Sequence, residues 1–164
     1  MFKKLVLVLL LVNIISACTK DDICTNETPT TPKLVIKFKS FINPNLSKEV
    51  TNLTVTTIVN NDSVHIYKSI TTDSILIPLN VEANFTEFYF TENNTSNNAG
   101  NTDKVTFAYQ RDNIYINRAC SFKATFKELL SQLEVEENEN WISEIEVNKS
   151  TIENEDDIHV TISH

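Results

Sequence analysis

The sequence predicts an all-β protein, an antiparallel β-sandwich of roughly seven to nine strands. Three observations carry this. From residue 33 onward, apolar side chains recur at every second position. Thr, Val, Ile, Tyr and Phe dominate those stretches, and these residues suit a pleated, half-buried surface. The breaks between them are rich in Asn and Asp, which accept left-handed backbone and bond their own main chain, so they serve where glycine is scarce.

The elements follow in order. Leu34, Ile36 and Phe38 share one parity, with Val35, Lys37 and Lys39 opposite. Leu53, Val55 and Val59 repeat the pattern, then Ile75, Ile77 and Leu79. Phe88 and Phe90 alternate with Glu87, Tyr89 and Thr91, and Val105, Phe107 and Tyr109 with Thr106, Ala108 and Gln110. Ile114 and Ile116 share parity with Cys120, Phe122 and Phe126. Ile145 with Val147, and Ile158 with Val160 and Ile162, complete the set. Such alternation marks strands with one face buried and one wet. The turns fall at Asn60-Asn61-Asp62, Asn93–Asn101 and Asp112-Asn113. One stretch reads two ways: Phe126, Leu129, Leu130 and Leu133 stand at helical spacing in Thr125–Leu133, which is a short helix or a strand running into a loop.

The N-terminus has a different character. Lys3 and Lys4 precede an apolar run from Leu5 to Ile15, interrupted only by Asn13, and Ser16-Ala17-Cys18 follow. These are the parts of a secretory signal. The run is shorter than the roughly 20 residues a membrane-spanning helix needs. Ile15-Ser16-Ala17-Cys18 resembles the lipobox of bacterial lipoproteins, which implies diacylglycerol on the Cys18 sulfur and cleavage before it. Several acyl chains, at about 0.8 kcal/mol per buried CH₂, make a stable anchor where one is marginal. Lys20-Asp21-Asp22 resembles the sorting signal that sends Bacteroidota lipoproteins to the outer face of the outer membrane; as plain composition it is a polar spacer. The expected organisation is a signal peptide over 1–17, a tether over 18–32 and a single β-sandwich domain over 33–164.

With Cys18 assigned to lipid, Cys24 and Cys120 remain, and outside the cytoplasm a single intramolecular disulfide follows from the count. It closes a loop of about a hundred residues, worth about 4–5 kcal/mol in the chain-entropy view, and pins the tether to the folded part. The wide spacing and the lack of a CxxC pair argue against metal or redox chemistry. Removing Lys3 and Lys4 takes the formal charge from −8 to −10, which disfavours nucleic acid and anionic headgroups as general partners. The sole glycine, Gly100, excludes glycine-rich phosphate loops.

Longer stretches carry a family resemblance. Cys18–Asp22, Cys24, Thr30-Thr31-Pro32-Lys33-Leu34-Val35-Ile36-Lys37-Phe38, Ile77-Pro78-Leu79-Asn80, Asn113–Phe122, Trp141-Ile142 and Ile158–Ile162 together resemble a family of uncharacterised Bacteroidota lipoproteins, a domain of unknown function. The resemblance covers nearly the whole chain after Cys18. It implies paired cysteines and an immunoglobulin-like sandwich, and lends no activity. That family usually has Gly after its second cysteine, where this chain has Ser121.

A search for chemistry finds little. The histidines are His65, His159 (placed outward between Ile158 and Val160) and His164, with no HExxH and no GxSxG. No metal and no cofactor is expected. Acidic runs at Glu134, Glu136, Glu137 and Glu139, and at Glu153, Glu155, Asp156 and Asp157, read as solvated loops. Trp141 and Tyr89 are candidate binding aromatics; Trp141 either stacks on a sugar or partner, or caps the core. Asp62-Ser63-Val64 and Asp73-Ser74-Ile75 resemble the Asp-Ser-aliphatic sequon for O-glycosylation, making Ser63 and Ser74 candidate sites, and are equally turn dipeptides.

The leading expectation is a non-enzymatic envelope lipoprotein, held on the outer membrane through Cys18, serving as an accessory or binding module for an envelope protein or glycan. The second is a glycan- or ligand-binding surface lipoprotein. The third is a hydrolase using Glu144 and Glu146, two carboxylates on one parity of a strand.

Overall fold

The computed structural model describes residues 24–25, 28, 30–135 and 140–164. Its strands are β1 (Leu34–Lys39), β2 (Val50–Val59), β3 (Asp62–Thr72), β4 (Ser74–Ile77), β5 (Phe85–Glu92), β6 (Asn101–Asn117), β7 (Ser121–Leu133), β8 (Glu144–Val147) and β9 (Val160–Ser163). They form a four-stranded sheet in the order β4-β1-β9-β8 and a five-stranded sheet in the order β3-β2-β5-β6-β7. The chain is an all-β sandwich, as the alternation predicts. β1–β4, β2–β5, β5–β6 and β8–β9 pair antiparallel, whereas β1 and β9 run parallel, with Ile36 opposite Val160 and Phe38 opposite Ile162.

The predicted apolar rows are largely the inner faces, although Val59, expected beside Leu53 and Val55, is exposed. Leu34, Ile36 and Phe38 from one sheet meet Val55, Phe88, Phe90, Val105 and Phe107 from the other in one cluster, all fully buried. The Phe88 ring lies 6.2 Å from both Phe90 and Phe107. Burying each such side chain contributes about 1.5–3 kcal/mol.

Asn60-Asn61 and the 93–101 stretch turn as the Asn-rich reading expects, but Asp112-Asn113 lie inside strand β6, and the chain turns at 118–120 instead. Asn60 and Asn61 close the β2–β3 hairpin with φ of 51° and 68°, the doubly left-handed geometry of a tight two-residue turn. Gly100 has φ of 77°, and a Cβ there would run into the Glu92 carbonyl oxygen.

Other expectations are settled or changed. The stretch Thr125–Leu133, open between helix and strand, lies within strand β7. Its helix-like spacing arises because Glu128 has φ of 54°, so the parity breaks and Phe126 and Leu129 both turn inward while Leu130 faces out. Strand β3 is an outer strand with mostly exposed residues, so its apolar parity of Val64, Ile66 and Ile70 is only partly buried. His159 is fully buried rather than outward, and Ile158 is exposed, since β9 begins only at Val160. Ile114 and Phe122 are exposed instead of sharing the core row.

The described residues fall into two units. Thr31–Asp112 with Ala124–His164 make up the sandwich. The other unit combines the described residues of 24–30 with Asn113–Lys123. In it Cys24 is bonded to Cys120, with Cα atoms 5.1 Å apart, so the pairing expected from the cysteine count is present. Asn117 accepts the Cys120 backbone N–H at 2.7 Å, and Ser121 follows with φ of 63°. Left-handed backbone of this kind suits Gly better than Ser.

Candidate functional site

The sandwich carries an open apolar groove of 630 Å³, within the size range of small-ligand and peptide-anchor pockets. The end of β2, the start of β3, the loop between β4 and β5, and the start of β5 line it. Ile58, Val59, Val64, Val81 and Phe85 stand around it, each between 40% and 52% exposed. Apolar side chains gathered this way on a soluble surface mark a contact site more often than scattered ones do. The charged residues of the lining, Glu82 and Glu87, are both acidic, and Glu87 pairs with Lys104 at 2.8 Å.

The loop under the groove is rigidly held. Asn80 N–H donates to Thr86 Oγ1 at 2.8 Å, and Tyr109 Oη donates to the Asn80 carbonyl at 2.9 Å. Tyr109 has one proton, so the 2.6 Å contact between Thr86 Oγ1 and Tyr109 Oη runs with Thr86 donating. The three groups form a closed ring of hydrogen bonds, and burial raises the Tyr109 pKa. Asn80 Oδ1 also accepts the Glu82 N–H at 2.8 Å, and Arg111 donates to the Val81 carbonyl and to Asn84 Oδ1.

The residues singled out from the sequence do not converge on this groove. Trp141 is 9% exposed and belongs to the core; its indole N–H donates to the Phe90 carbonyl at 3.0 Å, and its ring meets His164 at 5.5 Å. It takes the core alternative, and its ring is not open to a sugar. Tyr89 is half-buried, on the parity opposite Phe88 and Phe90, with Thr56 and Lys104 beside it. The two aromatics share no surface. Glu144 and Glu146 stand on the exposed row of β8, a four-residue edge strand. Ser63 and Ser74 are both exposed. Ser74 Oγ lies 3.2 Å from Asp73, whose carboxyl is held down at about 2 by hydrogen bonds from Lys37 and then Ser47. Cys18, Lys20, Asp21, Asp22, Glu136, Glu137 and Glu139 lie outside the described residues.

His65 is exposed on β3. His159 Nδ1 accepts the Val35 N–H at 3.1 Å, so the neutral ring carries its proton on Nε2, and burial lowers its pKa. Among the described residues, no group of three His, Cys, Asp or Glu side chains is placed to hold a metal.

The sequence reading missed the groove. Two signals were present: Ile58 and Val59 are consecutive apolar residues where alternation should leave one polar, and Val81 and Phe85 are apolar residues in or beside a loop.

A family model described as a family of unknown function, DUF6452, matches residues 52–164, and the chain belongs to that family. No curated protein and no solved structure matches it.

Proposed function

We propose that this member of the family is a non-enzymatic lipoprotein of the Bacteroidota cell envelope that works as a binding or accessory module and takes an apolar segment of a partner protein in the groove. The groove carries the reading: five half-exposed apolar side chains surround it, and a ring of hydrogen bonds holds the loop beneath. A rigid apolar surface loses little ordering entropy on binding, which favours recognition. The Cys24–Cys120 bridge supports an extracytoplasmic home, where disulfides persist. The signal over 1–17, the lipid on Cys18 and surface display through Lys20-Asp21-Asp22 rest on the sequence patterns alone.

A photo-crosslinking amino acid placed at Val81 in native envelopes tests the groove, with Leu130, 67% exposed, as reference. A discrete adduct at 81 and none at 130 is expected; equal labelling sinks the reading. Labelled palmitate tests the anchor, since incorporation should vanish in Cys18→Ala. The glycan alternative has less behind it, since Trp141 is buried and the groove is apolar. A glycan array with strong hits would restore it.

A further inference from the structure

We infer that the end of the β6–β7 hairpin is a membrane-contacting surface, laying Tyr115, Phe122 and Arg118 against an anionic lipid headgroup layer. This rests on the proposed lipid at Cys18.

The first observation is the exposure of apolar side chains at that end. Tyr115 and Phe122 are 58% and 61% exposed, their rings packed edge to face at 5.3 Å. Ile114, the neighbour of Tyr115 in the strand and so on its other face, is 41% exposed. The hairpin end is therefore apolar on both faces, which suits end-on insertion. Tyr and Phe rings of this kind favour the boundary between headgroups and acyl chains.

The second is charge. The chain carries 22 acidic and 14 basic residues, yet Asn113–Lys123 contains Arg118 and Lys123 and no acid. Arg118 is exposed in the turn. An acidic protein that gathers cations beside exposed aromatics at one hairpin end complements anionic phosphates there, although its overall charge opposes them.

The third is the length of chain to the anchor. The disulfide joins Cys24 to Cys120 in the hairpin turn. Cys18 stands six residues before Cys24, and fully extended chain spans at most about 3.3–3.6 Å per residue. With the Cys18 side chain and the 5.1 Å across the bridge added, the turn thus lies within about 30 Å of the lipid-bearing sulfur even at full stretch. Headgroup layers are about 5–7 Å thick each, so the bridge holds this hairpin end, and none of the groove residues, on the shortest covalent path to the bilayer.

The test uses the full lipidated chain in vesicles of phosphatidylethanolamine and phosphatidylglycerol, with and without brominated acyl chains. Phe122→Trp adds an emitter at the hairpin end and Leu130→Trp adds one elsewhere on β7, with buried Trp141 as a constant background that also reports folding. At least an approximately twofold bromine-dependent loss of the added emission is expected at 122 and none at 130, because interfacial side chains sit about 5–10 Å deep. Arg118→Glu in the Phe122→Trp chain should weaken that loss. Equal quenching at 122 and 130 overturns the inference, and an unchanged loss with Arg118→Glu overturns the anionic assignment. Flotation with the vesicles separately reports the anchor: chain that stays at the bottom refutes lipidation, and the inference with it.

Discussion

Asp103 accepts the backbone N–H of Ile142 at 2.7 Å from within the sandwich, fully buried, while its other carboxylate oxygen has no partner among the described residues. Burial raises its pKa. A group whose folded pKa is raised stabilises below its unfolded value of 3.8 and loses that contribution as pH rises through the folded pKa. Asp103→Asn keeps an oxygen for Ile142 and removes the buried charge. Its stability relative to the parent should therefore improve as pH rises through that window. Asp103→Ala leaves the Ile142 N–H unsatisfied and should cost about 1–3 kcal/mol. Urea titrations of all three from pH 4 to 8 check both, and a pH-independent Asn difference would sink the first.

His159 gives the opposite slope. Its folded pKa lies below 6.5, chiefly through burial and then Lys149, with Asp157 and Glu155 pulling the other way. The stability that its neutral form carries is full above pH 6.5 and lost as pH falls through the folded pKa. Protonation would also turn Nδ1 into a donor facing the Val35 N–H. His159→Gln, which can still accept that N–H, should flatten the decline below pH 6.5. Some slope should remain, because the pKa of His164 is lowered as well. An unaltered pH profile would refute this.

Ser121 sits at φ of 63°, where an L side chain is strained. Ser121→Gly should gain about 0.5–1 kcal/mol, the relief exceeding the added freedom of the unfolded chain. A loss of stability in a denaturant melt would show that the Ser side chain makes a compensating contact.

The Tyr109 hydroxyl closes the hydrogen-bond ring under the groove. Tyr109→Phe leaves the Asn80 carbonyl and the Thr86 hydroxyl short of a partner and should cost about 1–3 kcal/mol. Hydrogen exchange should quicken at 78–86 while the β1 amides keep their protection. Uniform quickening would mean that the ring supports the whole sandwich rather than the loop.

How much of this was legible beforehand depends on which residues carried it. Leu34, Ile36, Phe38, Phe88, Phe90, Val105 and Phe107 announced the core because they lie on strands with one dry face, where period two is enforced. Strand β3 was fainter, with only Val64, Ile66 and Ile70 on one parity, because an outer strand with mostly wet residues is under a weaker constraint. Glu128 disguised β7, because one left-handed residue shifts the parity and imitates a helical repeat. His159 was misplaced because the rule assumes one wet face, and β9, with neighbours on both sides, has all four residues buried. The bridge was legible by counting. The groove was not, because it is built from a loop and strand ends, and their proximity is tertiary.

The parallel pairing of β1 with β9 sets a timetable for assembly. The four-stranded sheet joins Leu34–Lys39 directly to Val160–Ser163, so its centre cannot close until residues more than 120 positions later are at hand. Contacts between sequence ends this distant close late and slowly. A chain emerging N-terminus first, from a ribosome or through a membrane pore, therefore holds an incomplete sheet until Val160–Ser163 are free. Such a delay suits the proposed export, since it keeps the polypeptide threadable until Val160–Ser163 have passed. Deleting 160–164 removes the strand that lies between β1 and β8 and leaves the sheet without its middle.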